Sequence, residues 1–463
     1  MARPQEPVQG QEEVTARAPR AALANLGCRV NRVELDAIAT KLEAAGFLLC
    51  GESDADYIVI NTCAVTGEAE AKTRKAIRHA ASRPQAPLVV ATGCVASLFA
   101  DELSALAPNV HVVANKREVA DYVIRLAESL ESLAEAGSPG ADGIPSACDV
   151  SSARDGSAAC GSSSDARHPV TPTGRTRPGV QVQDGCDNRC TYCIIWKARG
   201  RARSFDPAGI EEEVRAAMAR GAHEVVLTGI NLGDYRWGSA EDPLRLPGLL
   251  SRLLERTGVE RLRLSSIEPP DVTDGLARLM AASNGRVAPF LHICLQSGCD
   301  ETLRRMARVY RTPLFRENVQ RARSLMPDLA LGTDLIVGFP GETDAQFEES
   351  LAFCEEMRFA KMHIFRYSRR PGTPAAEFPD QVSPQVMAER SLRAHELAAR
   401  LRLEEALRLV GKRDLVVVQY PGRAVSGGLF DVVVDPAVPL DTLLPVRFTD
   451  VREDGTLIGE KSA

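Results

Sequence analysis

The chain has 463 residues, 44% of them apolar and 25% charged, with ordinary Gly and Pro content, which excludes a collagen-like or wholly disordered protein. Its 56 basic and 62 acidic residues leave a net charge of −6, which excludes a polybasic tail but not a local basic patch for RNA. The longest apolar-looking stretch, Leu88 to Ala100, is shorter than the roughly 20 residues of a membrane helix and carries Thr, Gly and Ser.

Residues 1–20 have no apolar run and three Glu, so they read as a disordered leader rather than a signal peptide. The expectation is a cytoplasmic protein with no membrane partner. From Ala21 strand and helix patterns alternate. Strands are expected at 21–26, 57–61, 88–93 and 111–115, with helices at 32–47, 67–82, 97–106 and 118–135. That alternation predicts a domain over 21–136 built on a parallel sheet with helices on both faces. Residues 137–174 are rich in Gly, Ser, Ala and Pro and lack aromatics, which predicts a flexible linker.

A longer alternation follows over 175–405. Strands are expected at 180–183, 224–229, 261–266, 290–296, 329–338 and 361–368. Helices fall at 207–220, 245–256, 271–282, 300–325 and 344–356. The fold class is therefore α/β, with a second domain that is a partial TIM-type (βα)6 barrel carrying its chemistry at the C-terminal strand ends. A long amphipathic helix, 384–410, leads into short strands between Leu415 and Glu460. Residues 406–463 thus read as a small all-β barrel appendage.

Twelve cysteines need an explanation. In a reducing cytosol, metal or redox chemistry is a stronger reading than disulfides. Cys148 and Cys160 fall in the linker and read as free thiols. Cys186, Cys190 and Cys193 form C-x3-C-x2-C just after the first barrel strand. Three thiolates there can hold three irons of a 4Fe-4S cube and leave the fourth open, as a reactive metal site requires. The competing reading is zinc, for which no nearby His supplies a fourth ligand. Cys28, Cys63 and Cys94 each follow a predicted strand, at the sheet edge where α/β folds place ligands. A second three-cysteine cluster fits that pattern, and three buried structural cysteines are the alternative.

The other barrel strand ends carry small and polar residues. They are Thr228, Gly229 and Asn231, then Ser265, Ser266 and Glu268, then Gln296, Ser297 and Gly298, then Gly338, Gly341 and Glu342. Such residues let a cofactor approach the backbone and orient it, although each alone is also an ordinary strand-end turn.

The C-x3-C-x2-C loop after a barrel's first strand resembles the radical S-adenosylmethionine (SAM) superfamily. Together with LGCRVN, NTCAVTGEAEAKTRKAIRHA, TGC, LTGIN, SSIEP, LQSGCDETLRRMARVYRT, TDLIVGFPGET and SRRPGTPA, it resembles the radical SAM methylthiotransferase family over about Ala21 to Glu460. The resemblance implies a methylthiotransferase N-terminal domain, a radical SAM barrel and a TRAM β-barrel that helps bind RNA. It implies two 4Fe-4S clusters, one binding SAM on Cys186, Cys190 and Cys193 and an auxiliary one on Cys28, Cys63 and Cys94. SAM contacts fall to Thr228, Gly229, Asn231, Ser266, Glu268 and Gln296, with no catalytic residue beyond the clusters.

Within the family, Arg29-Val30-Asn31 after the first cysteine, with KTRKAIRHA after Cys63, resembles the branch acting on N6-threonylcarbamoyladenosine in tRNA. The isopentenyladenosine branch usually has Gln-Met-Asn there, and the ribosomal-protein branch Pro-Lys-Asn. Trp196 stands where the family generally has Pro. The implied reaction takes hydrogen from adenine C2 with a 5′-deoxyadenosyl radical and adds a methylated sulfur. The implied partners are the tRNA and an electron-donating reductase or flavodoxin-type protein. Three basic groups are expected to meet tRNA phosphates: Lys72, Lys75, Arg78 and His79; Lys197, Arg199, Arg201 and Arg203; and Arg304, Arg305, Arg308 and Arg311. Solvated faces are the plainer reading of each. The alternatives to tRNA methylthiolation are methylthiolation of a small-subunit ribosomal protein and a non-enzymatic iron–sulfur RNA-binding protein.

Overall fold

The computed structural model describes residues 17–64, 66–135 and 174–462. Most of the expected leader and of the expected linker, with Cys148 and Cys160, lie outside the described residues.

The N-terminal part is built on β1 (Arg20–Asn25), β2 (Leu48–Leu49), β3 (Tyr57–Thr62), β4 (Leu88–Gly93) and β5 (Val110–Val112). All run parallel, in the order β2-β1-β3-β4-β5. The runs YIVINT and LVVATG are apolar without alternation because a parallel sheet is covered on both faces. Ile58 and Ile60 face Ile77, Val89 and Leu103, whereas Tyr57 and Val59 face Leu35, Ile38, Leu42 and Val123. The covering helices are α1 (Arg29–Ala44), α2 (Gly67–Ala81), α3 (Cys94–Leu98), α4 (Ala100–Ser104) and α5 (Val119–Glu135). The single helix expected at 97–106 is two short ones, broken at Phe99.

The central part begins with β6 (Gly179–Gln181), followed by the antiparallel pair β7 (Gln183–Asp184) and β8 (Arg203–Ser204), which brackets α6 (Ile195–Arg199). Then come α7 (Pro207–Ala219), β9 (Glu224–Thr228), a hairpin of β10 (Arg236–Trp237) and β11 (Leu244–Arg245), and α8 (Leu246–Arg256). β12 (Arg261–Leu264) pairs with β9, and β9 with β6, all parallel. One residue on, β13 (Ser266–Ile267) joins a second parallel sheet with β14 (Phe290–Ile293), β15 (Ala330–Val337) and β16 (Lys361–Arg366). The remaining helices are α9 (Asp274–Ala282), α10 (Asp300–Arg305), α11 (Thr312–Leu325) and α12 (Asp344–Met357). The unbroken helix expected at 300–325 is interrupted between α10 and α11, where Ala307 takes a left-handed φ of 54°. That break buries Arg308 and Tyr310 instead of leaving them on a helix surface.

After α13 (Pro384–Leu407), five strands close a barrel: β17 (Arg413–Tyr420), β18 (Arg423–Val425), β19 (Asp431–Val433), β20 (Leu443–Val451) and β21 (Leu457–Lys461). This is the expected small all-β barrel, and it is packed into the half-barrel. The barrel's core residues Val416, Val418, Phe430 and Phe448 form one cluster with Phe290, Ala330 and Ala360, which stand at the N-terminal ends of β14, β15 and β16. Beside them the buried Glu224 carboxylate accepts from Arg261 Nε at 2.5 Å and Arg263 Nε at 2.6 Å, with Arg177 Nη1 at 3.3 Å. The same two buried arginines donate across the junction, Arg261 to the Leu415 carbonyl at 2.5 Å and Arg263 to the Gly427 and Ser426 carbonyls at 2.8 and 2.9 Å. The small barrel therefore plugs the N-terminal end of the (βα)6 half-barrel, opposite the cysteine loops. No helix among the described residues is long and apolar enough to cross a membrane.

Candidate active site

Cys28, Cys63 and Cys94 stand at the C-terminal ends of β1, β3 and β4, three adjacent parallel strands. Cys28 precedes α1 and lies open, its Sγ donating to Asn31 Oδ1 at 3.0 Å. Asn31 is fully buried and locks the two strand ends together, bonding Asn61 Oδ1 at 2.7 Å and the Thr62 carbonyl at 3.0 Å. Thr62 Oγ1 in turn accepts from the amides of Val95 and Ala96 at 3.1 and 3.2 Å, satisfying the first turn of the helix that starts at Cys94. Gly93 makes that turn with φ +96°, and a Cβ there would meet Asn61 Oδ1 and the Thr62 carbonyl oxygen at 2.4 Å.

Cys186, Cys190 and Cys193 occupy the loop between β7 and α6. The loop is pinned by Thr191, whose amide donates to Met306 O at 3.0 Å and whose hydroxyl donates to Arg305 O at 2.9 Å. Arg308, reaching in from the helix break, donates to Cys190 Sγ at 3.0 Å and pairs with Glu268. Tyr310 lies beside it, with its hydroxyl 3.2 Å from Arg308 Nε. Burial opposes charge on this guanidinium, but Tyr192, Tyr310, Glu268 and Cys190 outweigh it and raise its pKa. Burial pushes the Cys186 thiol up to about 11 and the Cys193 thiol to about 12, so the metal-free chain holds both protonated at neutral pH.

The N-terminal and central parts meet over this loop. Ile194 packs into the N-terminal core with Cys94 and Val95. Arg199 is buried between Glu34 of α1 and Asp184, donating to each at 2.8 Å. Gly179 admits Val33 of α1 against β6, since a Cβ there would stand 2.1 Å from Val33 Cγ2.

The result is one cavity of about 630 Å³ lined by Cys28, Cys94, Cys186, Cys190 and Cys193 together. Cys63, on the strand between Cys28 and Cys94, is 6% exposed. Of the strand-end residues expected at a cofactor pocket, Thr228, Gly229, Ser266, Glu268 and Gln296 line the cavity. Asn231 does not line it and instead caps the turn Leu232–Asp234, accepting from the Gly233 amide at 3.3 Å and donating to Asp234 at 2.9 Å. The hydroxyls of Thr228, Ser265 and Tyr367, all on cavity-lining residues, are buried without a hydrogen-bond partner. Such groups ask for a polar ligand.

Two expected phosphate contacts are corrected: Arg199 and Arg308 are buried in the site and paired there, so neither reaches a solvated RNA backbone. Sequence reasoning also passed over the cavity's far wall. His292 and Asp334 are 3.1 Å apart, His363 and Asp334 likewise, and the two imidazoles stack at 5.2 Å. Burial alone would raise the Asp334 carboxyl, yet the hydrogen bonds from His292 and His363 hold it well below the usual carboxylate range. The available signal was period-two placement: His292 and Cys294 on β14 and its extension, and Lys361, His363 and Phe365 on β16, all face inward.

The zinc alternative can be judged on spacing. Thiolates bound to one tetrahedral zinc at about 2.3 Å are drawn to within about 4 Å of one another. Among the described residues, the one set of three donor side chains whose ligand atoms lie within 4.8 Å of one another is His292, Cys294 and Asp334, and neither cysteine trio is that tight.

Comparisons with known proteins agree with this geometry. Residues 180–354 match the Radical SAM superfamily, and residues 20–115 match the Uncharacterized protein family UPF0004. The chain is 35% identical to the threonylcarbamoyladenosine tRNA methylthiotransferase MtaB of Thermotoga maritima, over 85% of each protein. It is 36% identical to the ribosomal protein uS12 methylthiotransferase RimO of Desulforudis audaxviator, over 88% of this chain and 86% of the relative. It is 37% identical to the tRNA-2-methylthio-N(6)-dimethylallyladenosine synthase of a Parafrankia species, over 86% and 78%. Among solved structures, the radical SAM methyltransferase TsrM of Kitasatospora setae shares the fold at a TM-score of 0.51 and 16% identity, covering 88% of this chain and 77% of that one. This chain belongs to the radical SAM methylthiotransferase family, transferases with an iron–sulfur cluster-binding site that work by SAM-dependent radical chemistry.

Proposed function

We propose that this protein converts N6-threonylcarbamoyladenosine beside the tRNA anticodon to its 2-methylthio derivative. The observation that carries the reading is the shared cavity: Cys28 and Cys94 face the same space as Cys186, Cys190 and Cys193. A substrate base in that space is within reach of both thiol sets at once. Three cysteines per set suit a cube that takes one thiolate on each of three irons and leaves the fourth open. Cys186, Cys190 and Cys193 would hold the SAM-binding 4Fe-4S cluster, and Cys28, Cys63 and Cys94 an auxiliary one. When bound, these groups supply the radical and the sulfur; the protein supplies position and dryness.

Each part of the chain has a task in that scheme. Arg308, itself held by Glu268, donates to Cys190 Sγ and fixes that thiol in the loop. Thr228, Gly229, Ser266, Glu268 and Gln296 surround the space for SAM, and the unpartnered hydroxyls of Thr228 and Ser265 are donors for it. The Ile194–Val95 contact and the Arg199–Glu34 pair seal the seam between the two parts, keeping water from a reactive radical. The exposed Lys72, Lys75, Arg78, Lys197, Arg201 and Arg304 remain for the phosphates of a single-stranded loop whose base is splayed out. The division into 21–136, 175–405 and 406–463 belongs to this reading, as does an electron-donating reductase or flavodoxin-type partner.

Mass spectrometry of tRNA nucleosides from cells with and without the gene tests it. Loss of the 2-methylthio form with accumulation of N6-threonylcarbamoyladenosine is expected. Unchanged tRNA with loss of a methylthiolated ribosomal protein would transfer the substrate to the ribosome.

A further inference from the structure

The cavity carries more positive charge than its own walls balance. Among the described residues, two carboxylates line it. Glu268 is paired with Arg308, and Asp334 is held between His292 and His363. The other two buried guanidiniums are already engaged: Arg308 reaches Cys190 and Glu268, and Arg199 is paired with Glu34 and Asp184. Arg29, Lys361 and Arg366 also line the cavity, and among the described residues none of their side chains makes a hydrogen bond or an ion pair, although Glu224 acts on Arg29 and Glu68 on Arg366 at longer range. Arg366 stands exposed at the end of β16, but Lys361 is half-buried at its start. Alternation along β16 fixes its direction, since Met362 and Ile364 pack into the core while Lys361, His363 and Phe365 line the cavity.

Burial lowers the pKa of Lys361, and the neighbouring Arg402, Arg29 and Arg177 lower it further. The nearby anion that opposes them, Asp431, is already bonded to Arg402 at 2.9 Å. Unbalanced ammonium in such a place is unfavourable until an oxyanion arrives. Arg29 is close enough to act on Lys361 and lines both the main cavity and a smaller one beside Arg175, Arg177 and Tyr420.

A methylthiolated adenine and its ribose are neutral. The threonylcarbamoyl group on N6, however, ends in a carboxylate. We propose that Lys361, with Arg29 beside it, binds the carboxylate of the threonylcarbamoyl group and so selects the modified base. This rests on the function proposed above and names the residues that would read that substrate. An RNA backbone phosphate is the other source of the same oxyanion chemistry, and the test separates the two.

The experiment measures binding of the cluster-loaded protein to three anticodon stem-loop RNAs by fluorescence anisotropy. They differ at one base: adenosine, N6-threonylcarbamoyladenosine, or the methyl ester of the latter. The wild type is expected to prefer the acid over the ester and the unmodified base by about tenfold, as one charge-assisted contact provides. Lys361→Met should abolish that preference and leave affinity for the unmodified RNA within about twofold, Arg29→Gln should reduce it, and Lys361→Arg should retain it. Far-UV circular dichroism checks that each variant is folded. Equal weakening toward all three RNAs would assign Lys361 to a backbone phosphate and overturn the proposal. So would a wild type that binds acid and ester alike, a result that needs no variant. If the wild type methylthiolates the acid-bearing RNA yet Lys361→Met keeps the preference, this inference alone fails. If the wild type neither prefers nor methylthiolates that RNA, the proposed function fails first.

Discussion

Replacing Glu224 by Gln tests how the small C-terminal barrel is held in the floor of the half-barrel. Glu224 is fully buried and neutralises Arg261 and Arg263, themselves 1% or less exposed, with Arg177 as a third partner. Gln keeps the shape but removes the one carboxylate that, among the described residues, is bonded to those three cations, leaving Asp414 as a more distant counter-charge. Breaking a buried pair in this way costs about 3–5 kcal/mol. Against a typical total stability of about 5–15 kcal/mol, that is a large fraction. The urea midpoint should fall by about 1 M or more, taking a slope of about 3 kcal/mol/M. Proteolysis between α13 and β17 should accelerate, because Arg261 and Arg263 also hold the Leu415, Ser426 and Gly427 carbonyls. The three arginines outweigh desolvation and hold the Glu224 carboxyl well below the usual range. A depressed carboxylate pKa contributes stability above its unfolded value, lost only as pH falls through the folded one. The gap between wild type and Glu224→Gln should therefore stay constant from about pH 5.5 to 8. Replacing Glu224 with Leu and Arg177, Arg261 and Arg263 each with Met should recover part of the loss, since all three cations that Glu224 holds are removed with it. A Glu224→Gln midpoint equal to the wild type, or a quadruple variant worse than the single one, would refute the reasoning.

Cys190→Ala and Cys63→Ala should each lower iron content by about half after anaerobic reconstitution, as expected for two equal cubes. Cys63→Ala should still yield 5′-deoxyadenosine but no methylthiolated nucleoside, and Cys190→Ala neither; full iron and product in Cys63→Ala would make the N-terminal thiols structural. Desolvation, with Asp234 and Glu268 nearby, raises Asp271 to about 6, so its ionisation weakens the fold as pH rises from its unfolded value through 6. Asp271→Asn should thus gain up to about 2 kcal/mol over wild type at pH 7.5 and clearly less at pH 5, read from urea midpoints at the two pH values. Gly93→Ala places a Cβ 2.4 Å from Asn61 and Thr62 at a left-handed φ, so it should cost about 2 kcal/mol or more and displace Cys94. Native-like stability with full iron in that variant would show that the turn relaxes freely.

Much of this protein could be read from local pattern. A βα alternation with unbroken apolar runs specifies a covered parallel sheet wherever it occurs, and β3, β4, β9 and β15 stand where those runs are. Cysteines directly after such runs must lie at one sheet edge, because parallel strands end on the same side. What local pattern does not carry is the partner a side chain meets. The apolar periodicity of 300–325 continues through Ala307, but Pro313 ends any helix before it, and the resulting break lets Arg308 turn inward to Glu268 and Cys190, which no local pattern indicates. For the same reason Arg199 and Arg308 read as surface cations: a charge says nothing in sequence about whether a carboxylate 40 or 165 residues away will meet it.

Most element types and the two cysteine trios follow from periodicity and spacing along the chain, and the family resemblance from its motifs. The meeting of distant segments sets the rest: Cys28 and Cys94 open into one cavity with Cys186, Cys190 and Cys193, the C-terminal barrel is a plug sharing a core with Phe290, Ala330 and Ala360, and Lys361 faces the cavity while its nearby anion, Asp431, is bonded to Arg402. Those are properties of surfaces meeting across hundreds of residues, where packing and charge balance choose among arrangements that local periodicity leaves equal.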